Sequence, residues 1–308
     1  MTVTLNLHSV MIKSLSKIAV LVFCLAFLPT LAQSASKTGA ALPDSITWNL
    51  TLEAALKLAA DSGRHVIADF FTDWCKWCKV QDESTFTDAR VIALGPRFYF
   101  ARINAEVDTT NALRYGVNGY PTVILFDKTG AEVDRIVGYL RPEEFVATIE
   151  DYLEGIGTKA ALETKSRENP QDLGLRFQLV MKYEGRGDFA MARAQIQQIM
   201  ISDPDNNSKV TDKAMFELAV MDRKEKNWYK SIEGFRKFIK KFPGSKMRED
   251  AGTYIPWLYA KAGDKKQALK FYKEFLDEFS GSSQTGWVKD QIKILEAPAD
   301  SNAAKTSG

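Results

Sequence analysis

Two cysteines, Cys75 and Cys78, stand three positions apart in the stretch of residues 66–80. The apolar run 66–71 predicts a buried strand, and a helix is expected to begin at the cysteines. Cysteines at this spacing on the first turn of a helix share one face and can close a small disulfide ring. The unpaired N–H groups and the positive dipole end of a helix N-terminus stabilise a thiolate on the first cysteine. The sequence therefore predicts reversible dithiol chemistry.

Cys75 is expected to be the nucleophile, because the helix dipole and the neighbouring Lys76 both lower the pKa of its thiol below about 8.5. Cys78 would be the resolving thiol, which attacks the mixed disulfide and releases the substrate. The disulfide itself would carry the electrons, so no bound cofactor is expected. A structural disulfide without turnover and a metal site are the alternatives. Zinc usually takes about four ligands, whereas the chain after residue 35 offers these two cysteines and His65.

The elements that must position the cysteines are predicted from hydrophobic patterning. Residues 36–45 are small and polar and predict a flexible lead-in. Residues 46–156 predict the order α-β-α-β-α-β-β-α, which indicates an α/β domain with a central mixed sheet and helices on both faces. The predicted strands cover residues 66–71, 98–104, 122–126 and 132–137.

Three motifs in this order resemble the thioredoxin fold: DFFTDWCKWCK at the cysteines, ARIN in the next strand and GYPTVILFD in the one after it. The run FTDWCKWCKVQDESTFTDARV is especially similar to the periplasmic C-terminal domain of the transmembrane thiol:disulfide interchange proteins of the DsbD type. The resemblance covers about residues 45–156. It implies a thioredoxin-like domain, here bounded at 46–156, that exchanges disulfides with proteins.

The resemblance assigns a role to Asp69, which matches the buried acid that moves a proton on or off the resolving cysteine. A carboxyl in an apolar strand should have a raised pKa, which suits acid–base work near neutrality. Arg102 stands where the family often has lysine, and its permanent charge is expected to keep Asp69 more firmly ionised. The alternative is that Asp69 has only a structural role, as a capping residue or in a salt bridge.

The resemblance also implies that Pro121 follows a cis peptide bond and faces the cysteines. That geometry would expose the backbone of Tyr120 for strand-like pairing with a substrate segment. Trp74 matches the family and is expected to contact substrates, as is the bulky Tyr120. Lys76 and Trp77, the two residues between the cysteines, complete the predicted substrate-binding set and would tune the redox potential.

After a linker predicted over residues 157–168, the chain becomes helical. Residues 169–296 resemble tetratricopeptide repeats, helix-turn-helix units that stack because none can bury its apolar face alone. Three units align on a small residue in each, at Ala192, Ser231 and Ala268. Stacked units of this kind present a concave surface for a protein or peptide. Residues 297–308 are predicted to be a disordered tail.

Residues 1–35 have the order of a secretory signal peptide, with lysines before an apolar run over 18–31 and small residues over 32–35. The run is shorter than the roughly 20 residues of a comfortable bilayer span. Removal of this segment, with Cys24, would leave only the motif cysteines, as expected in an oxidising compartment such as the periplasm. An uncleaved anchor and lipid attachment at Cys24 are the alternatives.

The composition is that of an ordinary soluble protein of about two domains, with 308 residues, 45% apolar and 26% charged. The net charge of +2 gives no indication of a nucleic-acid partner.

Together these features predict an extracytoplasmic thiol:disulfide oxidoreductase whose repeats dock a protein partner. The DsbD-type resemblance favours a reductase supplied with electrons by a membrane partner. A scaffold protein, in which the repeats bind a partner and the thioredoxin fold is a platform, is the main alternative. A disulfide isomerase or chaperone would require self-association. The direction of exchange stays open, because related folds span about −270 to −120 mV.

Overall fold

The computed structural model describes residues 44–297. The predicted signal peptide, most of the lead-in over 36–45 and all but the first residue of the 297–308 tail lie outside the described residues. No helix in the described part is both long enough and apolar enough to cross a membrane.

Five strands form one mixed sheet in the order β1-β3-β2-β4-β5. Their bounds are Trp48–Asn49, His65–Phe71, Phe98–Asn104, Thr122–Phe126 and Glu132–Val137. The central strand β2 runs parallel to β3 and antiparallel to β4. Its five inner residues are all buried, because both faces of the sheet are covered. The sequence pattern does not predict β1, since two residues are too few to show an alternation.

Side chains of β2 alternate between two hydrophobic clusters on the two faces of the sheet. Val66, Ala68 and Phe70 pack on the side of α1, and Ile67 packs on the side of α3 and α5. This confirms the prediction of helices on both faces. The helices of this domain, α1 to α5, are Leu52–Ser62, Lys76–Ser84, Ala89–Ile92, Thr109–Arg114 and Pro142–Leu153.

Capping residues set several of these ends. Thr51 precedes α1 and its side-chain oxygen accepts a hydrogen bond from the backbone N–H of Ala54, while Gly63 ends the helix in the left-handed conformation. Pro142 occupies the first turn of α5, where its missing N–H costs no hydrogen bond.

Eight further helices fill the rest of the described chain. Their bounds, α6 to α13, are Lys159–Glu168, Leu173–Glu184, Phe189–Ser202, Thr211–Lys224, Trp228–Lys241, Arg248–Lys261, Lys265–Glu278 and Thr285–Glu296. The three aligned small residues, Ala192, Ser231 and Ala268, are fully buried. They lie on α8, α10 and α12, the second helices of three consecutive pairs, which confirms the helical-repeat prediction.

The segment 157–168, predicted as a linker, instead contains α6. Thr158 caps the helix by accepting a hydrogen bond from the N–H of Ala161. Leu162 is buried in the same cluster as residues of α7 and α8. The many lysine, serine and threonine residues of this segment conceal a helix, because only one large apolar residue marks its inner face.

Candidate functional site

Cys75 and Cys78 are joined by a disulfide at the start of α2, with their Cα atoms 5.3 Å apart. Cys75 is the N-cap residue, and its sulfur accepts a hydrogen bond of 3.0 Å from the backbone N–H of Cys78. Once the disulfide is reduced, an N–H group aimed at this sulfur stabilises its thiolate. Cys75 is only 4% exposed and Cys78 2%. A reaction partner must therefore fit closely against the surrounding side chains to reach the pair.

Aromatic side chains surround the cysteine turn. Trp74 and Trp77 are 67% and 56% exposed. The Trp74 ring meets the Tyr120 ring edge-on at 5.8 Å between centroids, and Trp77 stacks on Tyr139 at 5.6 Å. The contact between Trp74 and Tyr120 brings the two predicted substrate-binding segments together. Lys76, between the cysteines, is exposed to solvent.

The peptide bond between Tyr120 and Pro121 is cis, as the resemblance implied. The carbonyl of Pro121 accepts a hydrogen bond of 2.8 Å from the N–H of Gly138. On the other side, the Thr122 hydroxyl donates to the carbonyl of Gly119, also at 2.8 Å. The cis bond is thereby tied to both β4 and the end of β5, next to the aromatic residues of the cysteine turn.

Asp69 lies on β2 and is 1% exposed. Burial raises the pKa of its carboxyl to about 7, against a smaller lowering by the positive charge of Arg102 and a small raising by Asp82. Gln81 of α2 donates a long hydrogen bond of 3.4 Å to Asp69 Oδ1. A carboxyl with this pKa can take up or release a proton near neutrality.

The expectation that Arg102 keeps Asp69 firmly ionised is wrong. Arg102 is the β3 neighbour of Asp69 in the sheet register, but its guanidinium pairs with Asp82 of α2. It also lies over the Phe71 ring, 4.5 Å from the centroid. The negative charge of Asp82 offsets the positive charge of the guanidinium, so burial has the largest effect on the pKa of Asp69.

Gln81 is a site residue that sequence reasoning missed. It is 1% exposed, and its Oε1 atom is buried without a hydrogen-bond partner in the described structure. Nε2 can donate to the Asp69 carboxylate, and Oε1, after rotation of the amide, can accept from the protonated acid. The available signal was spacing, because Gln81 follows Cys78 by three positions on the same helix face.

Two further residues at the site were also missed. Tyr139 stacks on Trp77 and its hydroxyl lies 3.2 Å from that of Ser84. Glu106 accepts a hydrogen bond of 3.0 Å from the indole N–H of Trp74. Both lie on segments that only the folded sheet brings to the cysteine turn.

Within residues 44–297, no group of three or more His, Cys, Asp or Glu side chains is placed to hold a metal ion. His65 begins β2, whereas the cysteines follow the opposite end of that strand. A strand of seven residues is about 20 Å long, so His65 is not a neighbour of the cysteine pair.

Comparison with known protein families matches two separate parts of the chain. Residues 52–153 match the family model of a thioredoxin-like domain. Residues 213–245 and 257–282 match that of the tetratricopeptide repeat. These repeat matches fall on α9–α10 and on α11–α12.

Among similar proteins is the thiol:disulfide interchange protein DsbD of Ralstonia nicotianae, 36% identical over 103 residues, or 32% of this chain and 17% of the relative. The protein of the same name from Haemophilus ducreyi is 34% identical over 101 residues, or 31% of this chain and 18% of the relative. The chain thus covers less than a fifth of the length of these relatives.

Solved structures similar to this chain include thioredoxins. One from Thermus thermophilus is 30% identical, with a TM-score of 0.32, over 35% of this chain and 86% of that one. One from Fasciola hepatica is 28% identical, with a TM-score of 0.28, over 33% of this chain and 90% of that one. The fold assignment stands on the sheet order and the family match, because these TM-scores are low.

Proposed function

We propose that this chain, which joins a thioredoxin-like domain to tetratricopeptide repeats, is a thiol:disulfide oxidoreductase acting on protein substrates. The observation that supports the proposal most is the hydrogen bond from the Cys78 N–H to the sulfur of Cys75 at the start of α2. It provides the stabilisation that a nucleophilic thiolate needs.

In the reducing direction, the Cys75 thiolate attacks one sulfur of a substrate disulfide. The substrate S–S bond breaks, a mixed disulfide with Cys75 forms, and the departing sulfur takes a proton from water. Cys78, deprotonated by Asp69, then attacks the sulfur of Cys75. The mixed disulfide breaks, the Cys75–Cys78 bond forms, and the second substrate sulfur leaves as a thiolate. Two electrons pass from the dithiol to the substrate.

Asp69 would act as the base for Cys78, since its pKa near 7 matches a proton transfer at neutral pH. We expect Asp69→Asn to slow release of the mixed disulfide about 100-fold at pH 7, the lower range for loss of a general base. Stopped-flow measurement with a disulfide peptide checks this. The wild-type rate should rise with pH through about 7, and the variant should lose that inflection. An unchanged inflection would remove Asp69 from the mechanism.

The direction, compartment and donor belong to the proposal as well. We propose a reductase that works in the periplasm and is re-reduced by a dithiol of a membrane protein. The signal-like order of residues 1–35, the thioredoxin-like match over residues 52–153 and the similarity of about 100 residues to interchange proteins support this assignment. Equilibration with glutathione buffers tests the direction. A reductase should lie near the −270 mV end of the range of about −270 to −120 mV.

The decisive experiment traps the intermediate. In Cys78→Ala the second attack cannot occur, so partner proteins should accumulate as mixed disulfides with Cys75, visible on non-reducing gels and released by dithiothreitol. Cys75→Ser, which retains Cys78, is the matched control and should trap none above background. Equal trapping by the two variants, or none by Cys78→Ala, contradicts the proposal.

The repeat matches favour a second role, in which the helices bind a protein and the thioredoxin-like domain serves only as a platform. The variant Cys75→Ser/Cys78→Ser separates the two functions. An oxidoreductase loses its biological activity when both thiols are removed, whereas a scaffold keeps its activity. Partner binding by the helices should persist in either case.

A further inference from the structure

The loop that leads into the cis peptide bond, residues 116–121, lies directly against the helical region. Gly116 has φ +58°, and a Cβ atom there would lie 2.2 Å from the carbonyl oxygen of Arg186, just after α7. Backbone meets backbone at this point, so only glycine fits. The turn after α7, outside the thioredoxin-like domain, therefore forms one wall of this loop.

A buried guanidinium fastens the start of the same loop. Arg135 of β5, with its side chain 3% exposed, donates through Nη1 to the carbonyl of Tyr115 at 2.7 Å and to that of Gly185 at 3.1 Å. One cation thus satisfies a carbonyl just before the loop and a carbonyl at the end of α7.

Asn118 makes the second attachment with both ends of its amide. Nδ2 donates to the carbonyl of Glu184 at 2.8 Å, and Oδ1 accepts from Nζ of Lys224 at 3.1 Å. Lys224 also pairs with the Glu184 carboxylate at 3.0 Å, and the side chains of these two residues are 18% and 7% exposed. The amide is held by α7 and α9 together, at sequence separations of 66 and 106 residues.

From these contacts we infer that Asn118 is a positioning residue for disulfide exchange, through which α7 and α9 hold the loop 116–121 in its substrate-receiving geometry. Asn118 stands two residues before Tyr120, whose ring contacts Trp74 beside Cys75. Release of the amide would free the backbone that is expected to pair with the substrate, without altering the cysteine turn itself. The inference rests on the proposed function.

The alternative is that Asn118 merely helps to attach the helical region. Lys182 provides the matched control, because it joins α7 to the sheet away from this loop. Its Nζ lies 3.0 Å from Asp134 Oδ1 and 2.9 Å from the Tyr152 hydroxyl. A variant at Lys182 weakens the attachment without removing a contact of the loop.

The experiment compares wild type, Asn118→Leu, Lys224→Gln and Lys182→Met as full chains, with insulin as the protein disulfide. Asn118→Leu keeps the branched shape of the side chain and removes both hydrogen bonds to the helices, together with a long one of 3.4 Å from Nδ2 to the carbonyl of Gly116 within the loop. We expect its KM for insulin to rise about tenfold, the equivalent of two lost hydrogen bonds of about 0.7 kcal/mol each. Its kcat and its equilibrium with glutathione should stay within about twofold of wild type. Lys224→Gln should raise KM less, since a glutamine can still donate to Asn118.

Equal KM values for wild type and Asn118→Leu, or an equal rise in Lys182→Met, overturn the inference. Hydrogen–deuterium exchange provides a readout that does not depend on activity. Asn118→Leu should speed exchange of the amides in residues 116–120 and leave α11 and α12 unchanged, and unchanged exchange in the loop also overturns the inference.

A wild-type protein that fails to reduce insulin contradicts the proposed function instead, and the exchange measurement then still decides whether Asn118 holds the loop. If Asn118→Leu does not fold, Lys224→Gln tests the same attachment from the helical side.

Discussion

Asp69 on β2 and Asp134 on β5 belong to the same sheet and are both almost completely buried, 1% and 0% exposed. The pKa of Asp69 is raised to about 7. The pKa of Asp134 is lowered, because its positive and hydrogen-bonding neighbours together outweigh the raising effect of its burial. Equal burial therefore gives opposite proton affinities in these two regions of one domain.

The difference lies in the neighbours. Asp134 accepts ion pairs from Lys182 at 3.0 Å and Arg186 at 2.9 Å, both on the helical side. It also accepts backbone hydrogen bonds from Arg135 at 2.6 Å and Lys159 at 2.5 Å. These donors replace the water that the carboxylate loses on burial.

Within residues 44–297, Asp69 has only the long hydrogen bond from Gln81 and the charge of Arg102, which is itself paired with Asp82. A buried carboxyl with four close donors stays ionised and fastens two parts of the chain. A buried carboxyl with one weak donor stays able to exchange a proton. The comparison separates an attachment point from a candidate catalytic group, although both are aspartates in one sheet.

The largest effect is expected from Asp134→Asn. The change leaves Lys182 partly buried without its carboxylate and Arg186 paired with Glu132 alone, and removing one partner of a buried ion pair costs about 3–5 kcal/mol. We expect the free energy of unfolding in urea to fall by that amount at pH 7. The stabilisation that Asp134 gives the wild-type protein should itself be lost as the pH falls below the ordinary pKa of an aspartate and through the lowered pKa of Asp134 in the folded protein. A loss below about 1 kcal/mol would show that the cluster contributes little.

Asp69→Asn is expected to change stability in the opposite direction. Between pH 4 and 7, the approximate unfolded and folded pKa values, the unfolded chain loses the Asp69 proton while the folded protein keeps it. Wild-type stability therefore falls as pH rises through this window, by up to about 4 kcal/mol. The asparagine variant, with the disulfide intact, should be more stable than wild type by about 2–4 kcal/mol at pH 8.

Urea unfolding of both proteins at pH 4 and pH 8 measures this difference. The gain should fall to about 0.5 kcal/mol at pH 4, where Asp69 is protonated in the folded protein and about half protonated in the unfolded chain. A variant that is equally stabilised at the two pH values would assign the effect to packing rather than to the charge.

In the helical region, a substitution at Glu217 is expected to increase stability as Asp69→Asn does, but by less. Burial raises the pKa of Glu217 on α9 to about 7, a change that Glu184 reinforces and that Lys224 and Arg223 oppose. Glu217 is only partly buried, so solvent screening reduces the cost of its charge. We expect Glu217→Gln to raise the free energy of unfolding by about 1–2 kcal/mol at pH 8 and not at pH 4. A destabilised variant would mean that Glu217 has a favourable partner as Asp134 does.

Much of the thioredoxin-like domain was predictable because its signals are local. The patterns over 98–104, 122–126 and 132–137 coincide with β3, β4 and β5. Alternation or a fully apolar run depends only on which faces of a strand are covered. The cysteine turn and the cis bond before Pro121 came from motifs that are contiguous in the chain.

The errors have a different origin. The polar segment that forms α6 has too few apolar residues to reveal its buried side. The partner of Arg102 was missed because Asp82 lies 20 residues away, on a helix that the fold places over the sheet. Gln81 reaches Asp69 only because α2 packs over β2, and Tyr139 reaches Trp77 only because the chain after β5 lies beside α2.

By itself, the sequence determined the strands β2 to β5 and their order, the position of Cys75 and Cys78 at a helix start and the presence of a helical repeat region. These features depend on side-chain periodicity, capping and composition over short stretches, where the residues that matter are neighbours in the sequence. Tertiary structure alone decided which buried carboxyl is paired and which is not, and that Asn118 is held by helices 66 and 106 residues away. Charges and hydrogen bonds act through space, and the neighbours that set a pKa or hold a loop exist only after the chain has folded.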